Sequence, residues 1–402
     1  MLPLDDVKVV DFMWALAGPG TTRTLADYGA TVVRIESANR VDGARTVGPF
    51  IDNKPANDGS GLFGTYNAGK LGLALDLNKP QARETVLDLV RWADVVCESF
   101  SPKAMRAWRL DYESLRKVKP DLIMLSSCLM GQSGPTSKFV GFGNMAAALA
   151  GFYHLCAWPD RPPSGPFGAY TDYIAPRFGA ISVLAALDYR RRTGKEQYID
   201  QSQAESALHF LTPALLSSAA NGQTEQGVGN ADPNYAPHGV YPSLGDDRWI
   251  AITCKTDEHW QSLCTAMGRS DLASHGDFAT LAARQQNPGE LDKIIGEWSR
   301  GLTAQTAEVR LQQMGVPASV VQDSNDVSRD PQLAARGYLA EIVHPVCGNT
   351  VVEGSRFRLS RTPAIAARPA PTVGGDNQYV LKSILGYDQD RITELVAAGV
   401  VE

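Results

Sequence analysis

The chain reads as an α/β protein. It combines a large Rossmann-like domain on a doubly wound parallel sheet, a smaller α+β domain, and a return segment. Three observations predict this. Short β-rich runs alternate with helical runs from Val7 to Ser127, the pattern of a parallel sheet covered by helices. A polar, Gly/Asn-rich stretch near position 220 breaks the alternation, and a new strand begins at Trp249. The 402 residues, 44% hydrophobic and 20% charged, are enough for two domains with cores that need no disulfide staples.

Taken in order, VKVVDF (Val7–Phe12) is a strand, AGPG (Ala17–Gly20) a turn, TTRTLADYG a helix and ATVVRIE a second strand, which together make a βαβ unit. The strand-like LGLALDL (Leu71–Leu77) precedes the amphipathic helix ARETVLDLVRWA. DVVCESF (Asp94–Phe100) is a strand, LDYESLRKVKP a helix closed by Pro120, and DLIMLSS (Asp121–Ser127) a further strand. Ligands of such sheets bind beyond the carboxyl ends of the strands. A site is therefore expected among the loops Trp14–Gly20, Glu36–Arg45, Ser99–Arg106 and Cys128–Gly143.

A helix is predicted over Asn144–Tyr153, then a Pro/Gly-rich loop carrying Asp172. A long helix follows from about Pro176 to Arg192, closed by Thr193-Gly194. QYIDQ is a strand, and SQAE (Ser202–Glu205) reads as a capping box opening another helix. The stretch SAANGQTEQGVGNADPNYAPHG is a linker, and the polar DSNDVSRDP marks a second boundary. The expected division is 1–222 for the large domain, 223–326 for the small one and 327–402 for the return segment. The last segment ends in a helix near Asp388–Ala397.

Composition excludes several function classes. A net charge of -6 gives no attraction to nucleic acid or to an anionic membrane. No apolar run reaches the roughly 18 residues of a membrane span. The opening MLPLDDVKVVDF lacks the basic and apolar regions of a secretion signal. The six cysteines (Cys97, Cys128, Cys156, Cys254, Cys264, Cys347) form no CxxC pair and sit largely in apolar runs. They are expected to be reduced, buried thiols of a cytoplasmic protein. The six histidines show no metal-binding spacing, and neither a GxSxG elbow nor a nucleophilic cysteine signature occurs. Carboxylates remain as candidates for chemistry.

Asp172 stands out in GPFGAYTDYIAPRFGA (Gly165–Ala180). It could cap the helix expected four residues on, or pair with Arg177. It could also be an activated carboxylate, with Gly165, Gly168 and Ala169 admitting a ligand and the helix N-terminus favouring its ionised form. Such a carboxylate can attack an activated carbonyl. AGPG is likewise a tight turn or a phosphate-holding helix start. Arg34, Arg40 and Arg45 are solvated surface residues or phosphate contacts. The residues alone leave these alternatives open.

The order of the blocks is more specific. VVDFMWALAGPGTTRTLADYGATVVRIES, NAGKLGLALDLNKP, ADVVCESFSP, GQSGP, ISVLAALDYRRRTGKEQYIDQSQAE, VGNADPNYAPHGVYPS, GVPASVV, DPQLAARGY and the P-x-x-G run at Pro371 follow one another nearly end to end. This succession resembles the family III CoA-transferases. That group includes formyl-CoA:oxalate, carnitine and benzylsuccinate CoA-transferases and the 2-methylacyl-CoA racemases. The segment GAYTDYIAPRFGAISVLAALDYRRRTG is most similar to the benzylsuccinate branch.

The resemblance implies that Asp172 is the catalytic aspartate. The reaction it implies moves CoA from an acyl-CoA, with succinyl-CoA a candidate donor, to a carboxylic acid. It runs through an aspartyl anhydride and an aspartyl-CoA thioester, without a metal or a tightly bound cofactor. The racemase alternative pairs the same Asp with a His in a Gly-His-Asp stretch. Here that stretch is Gly141-Phe142-Gly143, and phenylalanine accepts no proton. A racemase with a different base and a non-catalytic CoA-binding protein remain the alternatives.

The implied CoA contacts are Leu16 and Ala17 at the AGP turn, Leu75 and Asn78 around the LDL stretch, Ser99, Phe100 and Arg106, with Phe142 and Gly143 nearer the acyl group. Several family positions differ. A glutamine before the AGP turn is Leu16, and two CoA-binding arginines are Ser37 and Ala107, with Arg40, Arg106 or Arg109 as substitutes. The glutamate near the oxalate site is Gly143, and the glycine-rich GGGG loop of the small domain is missing. These differences argue against oxalate and leave room for a larger, partly apolar acid, with Phe142, Tyr170 and Tyr173 either lining the acyl site or packed in the core. The resemblance also implies an interlocked homodimer whose active site lies between the large domain of one subunit and the small domain of the other.

Overall fold

The computed structural model describes residues 1–366 and 368–402 and divides the chain into two compact units. The first comprises residues 1–153, 165–225 and 331–402, and the second 154–164 and 226–330. The segment 154–164, which the sequence reading kept in the large domain, belongs to the second unit.

The first unit holds a six-stranded sheet. Its strands are β1 (Lys8–Phe12), β2 (Thr31–Glu36), β3 (Leu71–Ala74), β4 (Val95–Glu98), β5 (Ile123–Cys128) and β6 (Gln197–Ser202). All neighbours pair in parallel, in the order β3-β2-β1-β4-β5-β6. The chain winds outward from β1 to β3, then crosses back to β4 and winds the other way. The crevice beyond the carboxyl ends of β1 and β4 is thus the topological switch point, where doubly wound sheets bind ligands.

Strand alternation fills both faces. Val10, Val33, Leu73 and Val96 pack with Val86 and Leu89 of α3 (Pro80–Trp92) and with the returning Ile392 and Leu395. Val9, Val32, Val95 and Leu125 pack on the other face with Leu25 of α1 (Ala17–Asp27) and with Val183 and Leu187 of α5 (Tyr170–Thr193). Between these lie α2 (Gly61–Asn67) and α4 (Gly143–Leu149). After β6 come α6 (Gln203–Leu208) and α7 (Thr212–Asn221).

Four local expectations are corrected. AGPG is not a separate turn but the first turn of α1, where proline needs no N–H partner. The helix expected over Leu110–Pro120 forms only at Tyr112–Leu115. Ser202 caps the N–H of Glu205, and the reciprocal glutamate contact of a full capping box does not accompany it among the described bonds. The long helix starts at Tyr170, so Pro176 lies inside it and Asp172 in its first turn. Proline there removes the bond that the Asp172 carbonyl would otherwise accept. Packing against α1 compensates: added to Gly20, a Cβ would stand 2.9 Å from Pro176 Cγ, and added to Gly179, 2.6 Å from Thr21 Oγ1.

The second unit carries an antiparallel sheet of β7 (His238–Pro242), β8 (Trp249–Thr253) and β9 (Ala318–Val321). It encloses Trp260, Leu263, Leu291, Ile295 and Leu311 from three helices, α8 (Asp257–Met267), α9 (Pro288–Ser299) and α10 (Ala304–Gln313). The return segment adds a hairpin, β10 (Leu339–His344) with β11 (Gly348–Glu353), and α11 (Gln389–Ala397) to the first unit.

Candidate active site

Asp172 is the third residue of α5, and its N–H bonds Ala169 O at 2.9 Å. Its side chain is 5% exposed. The N–H of Gly143, at the start of α4, hydrogen-bonds the carboxylate, while Thr171 Oγ1 donates back to Gly143 O at 3.0 Å. Glycine is required here: a Cβ on residue 143 would come within 2.7 Å of Asp172 Oδ1 and 2.9 Å of Ala169 O. Among the described residues no cation pairs with Asp172, Arg177 included. Burial therefore dominates and pushes its pKa up to about 7, with the Gly143 N–H pulling the other way.

Asp172 opens into a cavity of about 200 Å³ at the switch point. Trp14, Ala15, Ala17 and Gly18 come from the β1–α1 connection, Ser99 and Ser101 from beyond β4, and Cys128 and Leu129 from the end of β5. Ser137, Phe139, Val140, Gly141 and Phe142, with Gln203 of α6, close the wall. Among the described residues that line it there is no histidine and no cation.

Of the residues expected from the sequence, Ala17, Ser99, Phe142 and Asp172 meet in this wall, and Gly143 touches the carboxylate. Leu16 precedes α1, and its carbonyl accepts the Gly20 N–H at 2.9 Å. Phe100 stands edge-on to Trp14 at 5.8 Å and to Trp108 at 5.5 Å. Arg106 is exposed on a short helix, Ala104–Ala107, following β4. Leu75 is fully buried in the sheet core. Asn78 is exposed and bonds Asp76. Neither Leu75 nor Asn78 lines the cavity, and nor do Tyr170 and Tyr173.

The arginines need correction too. Arg34 and Arg45 are neither solvated nor free for phosphate. Each is 1% exposed, Arg34 paired with Asp42 at 2.5 Å and Arg45 with Glu36 at 2.8 Å. Arg40 is exposed, its guanidinium 5.7 Å from the Trp14 ring centroid. The cysteines are mixed: Cys97, Cys254 and Cys264 are buried, Cys156 is exposed, and all six are unpaired.

Sequence reasoning did not single out Trp14, Ala15, Ser101, Cys128 or Gln203. The first three lie in loops beyond strand ends and Cys128 closes β5, so the topology was the usable signal. Glu98, in the Glu98-Ser99-Phe100 stretch that the family resemblance places at the adenine side of CoA, is 2% exposed at the end of β4. That carboxyl accepts the Phe100 N–H at 2.7 Å and the Gln132 side-chain amide at 3.4 Å, tying two cavity loops together. Burial pushes its pKa up to about 7.

Known proteins resemble this chain along nearly its whole length. The family model described as CoA-transferase family III matches residues 4–377. The succinyl-CoA–D-citramalate CoA-transferase of Chloroflexus aurantiacus is 32% identical over 99% of this chain and 98% of its own length. The human succinyl-CoA:glutarate CoA-transferase is 28% identical over 100% of this chain and 90% of its own. A crystal structure of a CaiB/BaiF family protein from Brucella suis superposes with a TM-score of 0.88 at 30% identity, covering 96% of this chain and 99% of that one. Matched along nearly its whole length, the chain belongs to CoA-transferase family III, whose enzymes transfer CoA between an acyl-CoA and a carboxylate.

Proposed function

We propose that Asp172 is the covalent nucleophile of the transfer, with succinyl-CoA as donor and a carboxylic acid as acceptor. The observation that carries this is the carboxylate itself: buried, unpaired with any cation, and held by one backbone N–H at the wall of a cavity. A carboxylate made basic by burial is a stronger nucleophile than a solvated one.

Its oxygen attacks the thioester carbonyl, and the C–S bond breaks to give an aspartyl anhydride and CoA thiolate. The thiolate attacks the aspartyl carbonyl, releasing the donor acid and leaving an aspartyl-CoA thioester. The acceptor carboxylate then attacks this thioester, and CoA thiolate leaves once more. Its attack on the acceptor acyl carbonyl frees Asp172 and forms the new acyl-CoA. Each exchange retains an activated acyl group, so no external energy source enters. α1 has no side-chain cap, and Ala17 and Gly18 line the cavity; backbone N–H groups at this helix start suit the developing oxyanions.

The relatives named for succinyl-CoA support that donor. Phe139, Val140, Phe142 and Leu129 line the cavity and favour an acceptor with an apolar portion. For CoA we assign Leu16, Ala17, Ser99 and Phe100 along the cavity edge, with Arg106 and Arg40 as the exposed cations for its phosphates. Leu75 and Asn78 contribute through their strand-end backbone, since the Leu75 side chain is enclosed. Racemisation is not favoured, because no histidine stands in the wall among the described residues. Six unpaired cysteines suit a reducing cytoplasm. The working enzyme is proposed to be an interlocked homodimer.

The test is intact-protein mass spectrometry after incubation with succinyl-CoA and other acyl-CoAs, with hydroxylamine trapping and peptide mapping. An adduct on Asp172 is expected. Turnover without any such adduct, or an adduct on another residue, overturns the assignment.

A further inference from the structure

A buried ion pair beneath the β1–α1 connection acts on the shape of the cavity. Ala15 lines that cavity and has φ +62°, a left-handed conformation that a residue with a Cβ disfavours. Asp42 is fully buried, and its two oxygens lie 3.1 and 3.2 Å from the Ala15 nitrogen, accepting its N–H. The same carboxylate takes the Ala44 N–H at 3.0 Å and the Arg34 guanidinium at 2.5 Å. Arg34 in turn donates to Met13 O at 2.5 Å.

One ion pair thus grips the backbone on both sides of Trp14. Ser99 Oγ completes the hold by accepting the Trp14 N–H at 2.8 Å. Directly after Ala15 the chain enters α1, whose first residues, Ala17 and Gly18, also line the cavity. If Ala15 relaxed to an ordinary conformation, the approach to α1 would be re-aimed, and these residues would leave their places opposite Asp172.

We propose that Asp42 is a positioning residue for CoA transfer: it holds Ala15 in the left-handed conformation and so sets the first turn of α1 into the cavity that contains Asp172. The proposal rests on the reading of Asp172 as the reacting group. A merely structural role for Asp42 would lower stability without any special connection to Ala15. A positioning role predicts that the defect can be reproduced and relieved at Ala15 itself.

The experiment compares Asp42→Asn, Ala15→Val, and Asp42→Asn combined with Ala15→Gly, reading kcat, KM for succinyl-CoA, CoA affinity by calorimetry, and Tm. Asp42→Asn should reduce kcat/KM at least tenfold. Ala15→Val should do the same with the ion pair intact, because a β-branched residue resists positive φ. Adding Ala15→Gly to Asp42→Asn should restore most of the loss, since glycine adopts this conformation freely. Full activity in Asp42→Asn or in Ala15→Val, or no rescue by glycine, overturns the proposal. Asp172→Ala, assayed alongside, separates the two ideas. Transfer retained in that variant would overturn the site reading, while CoA affinity in the Asp42 and Ala15 variants needs no turnover and still decides the clamp.

Discussion

Asp172 meets two opposing demands, and their balance can be measured. Burial raises its pKa to about 7, so in the free enzyme the carboxyl titrates near neutrality, and kcat/KM should fall as pH drops below about 7. A flat profile down to pH 5 would show that the ionised form is not required. The same shift acts on stability. Between the ordinary carboxyl value of 3.8 and about 7, the folded chain binds a proton that the unfolded chain has released. Stability therefore declines as pH rises through this window. Asp172→Asn keeps an acceptor for the Gly143 N–H and removes the buried charge. It should lose transfer, yet be more stable than the parent at pH 8, by as much as about 4 kcal/mol, with the difference gone near pH 4. Equal melting temperatures at pH 8 would mean that the carboxylate is well solvated. Gly143→Ala tests the neighbour. Its Cβ would have to displace the carboxylate or Ala169 O from within 3 Å, and a shift of this size should lower kcat/KM on the order of 100-fold, with less effect on CoA affinity.

At the scale of elements, the decisive contact is α1 against α5. The crossing is close because Gly20 faces Pro176 and Gly179 faces Thr21. It fixes where the first turn of α5, with Asp172, sits relative to the start of α1. Gly179→Val should force the helices apart, costing roughly 1–3 kcal/mol as overpacking and reducing transfer as well as Tm. Unchanged transfer in a destabilised variant would show that the crossing serves only stability. This contact also explains what the sequence could not reveal. Strand positions were legible because their apolar runs are local signals, and the parallel, doubly wound sheet followed from their alternation with helices. The start of α5 was not legible, since Pro176 is locally a helix breaker and only packing against a distant helix overrides it. Arg34 and Arg45 misled for the same reason. Their partners Asp42, Glu36 and Asp58 are close in the sequence, but nothing local says that both arginines, Asp42 and Glu36 are buried. The loops of the site were legible as strand ends, whereas the left-handed Ala15 and the pairing of Gly143 with Asp172 exist only in three dimensions.

At the scale of the molecule, the first unit leaves apolar helix surface uncovered. No residue of α7 is buried, although its sequence is TPALLSSAAN, and Leu215 and Leu216 are 47% and 61% exposed. On α5, Ile181 and Leu184 are 62% and 41% exposed, two and three turns beyond Asp172 on the same helix. Exposed apolar residues on two helices of one unit suit an interaction surface better than a solvated one. A second copy of the chain is the occupant proposed for it. The protein should then sediment as a dimer at micromolar concentration. Leu216→Glu, which puts a charge where apolar contact is expected, should shift it toward monomer. If the active site is completed across that interface, transfer should fall in step with the dimer fraction and recover at higher protein concentration. A parent protein that sediments as a monomer would remove the dimer proposal. A monomeric Leu216→Glu variant with full specific activity would show instead that one chain supplies the whole site, and that the cavity beside Asp172 binds both CoA and the acceptor unaided.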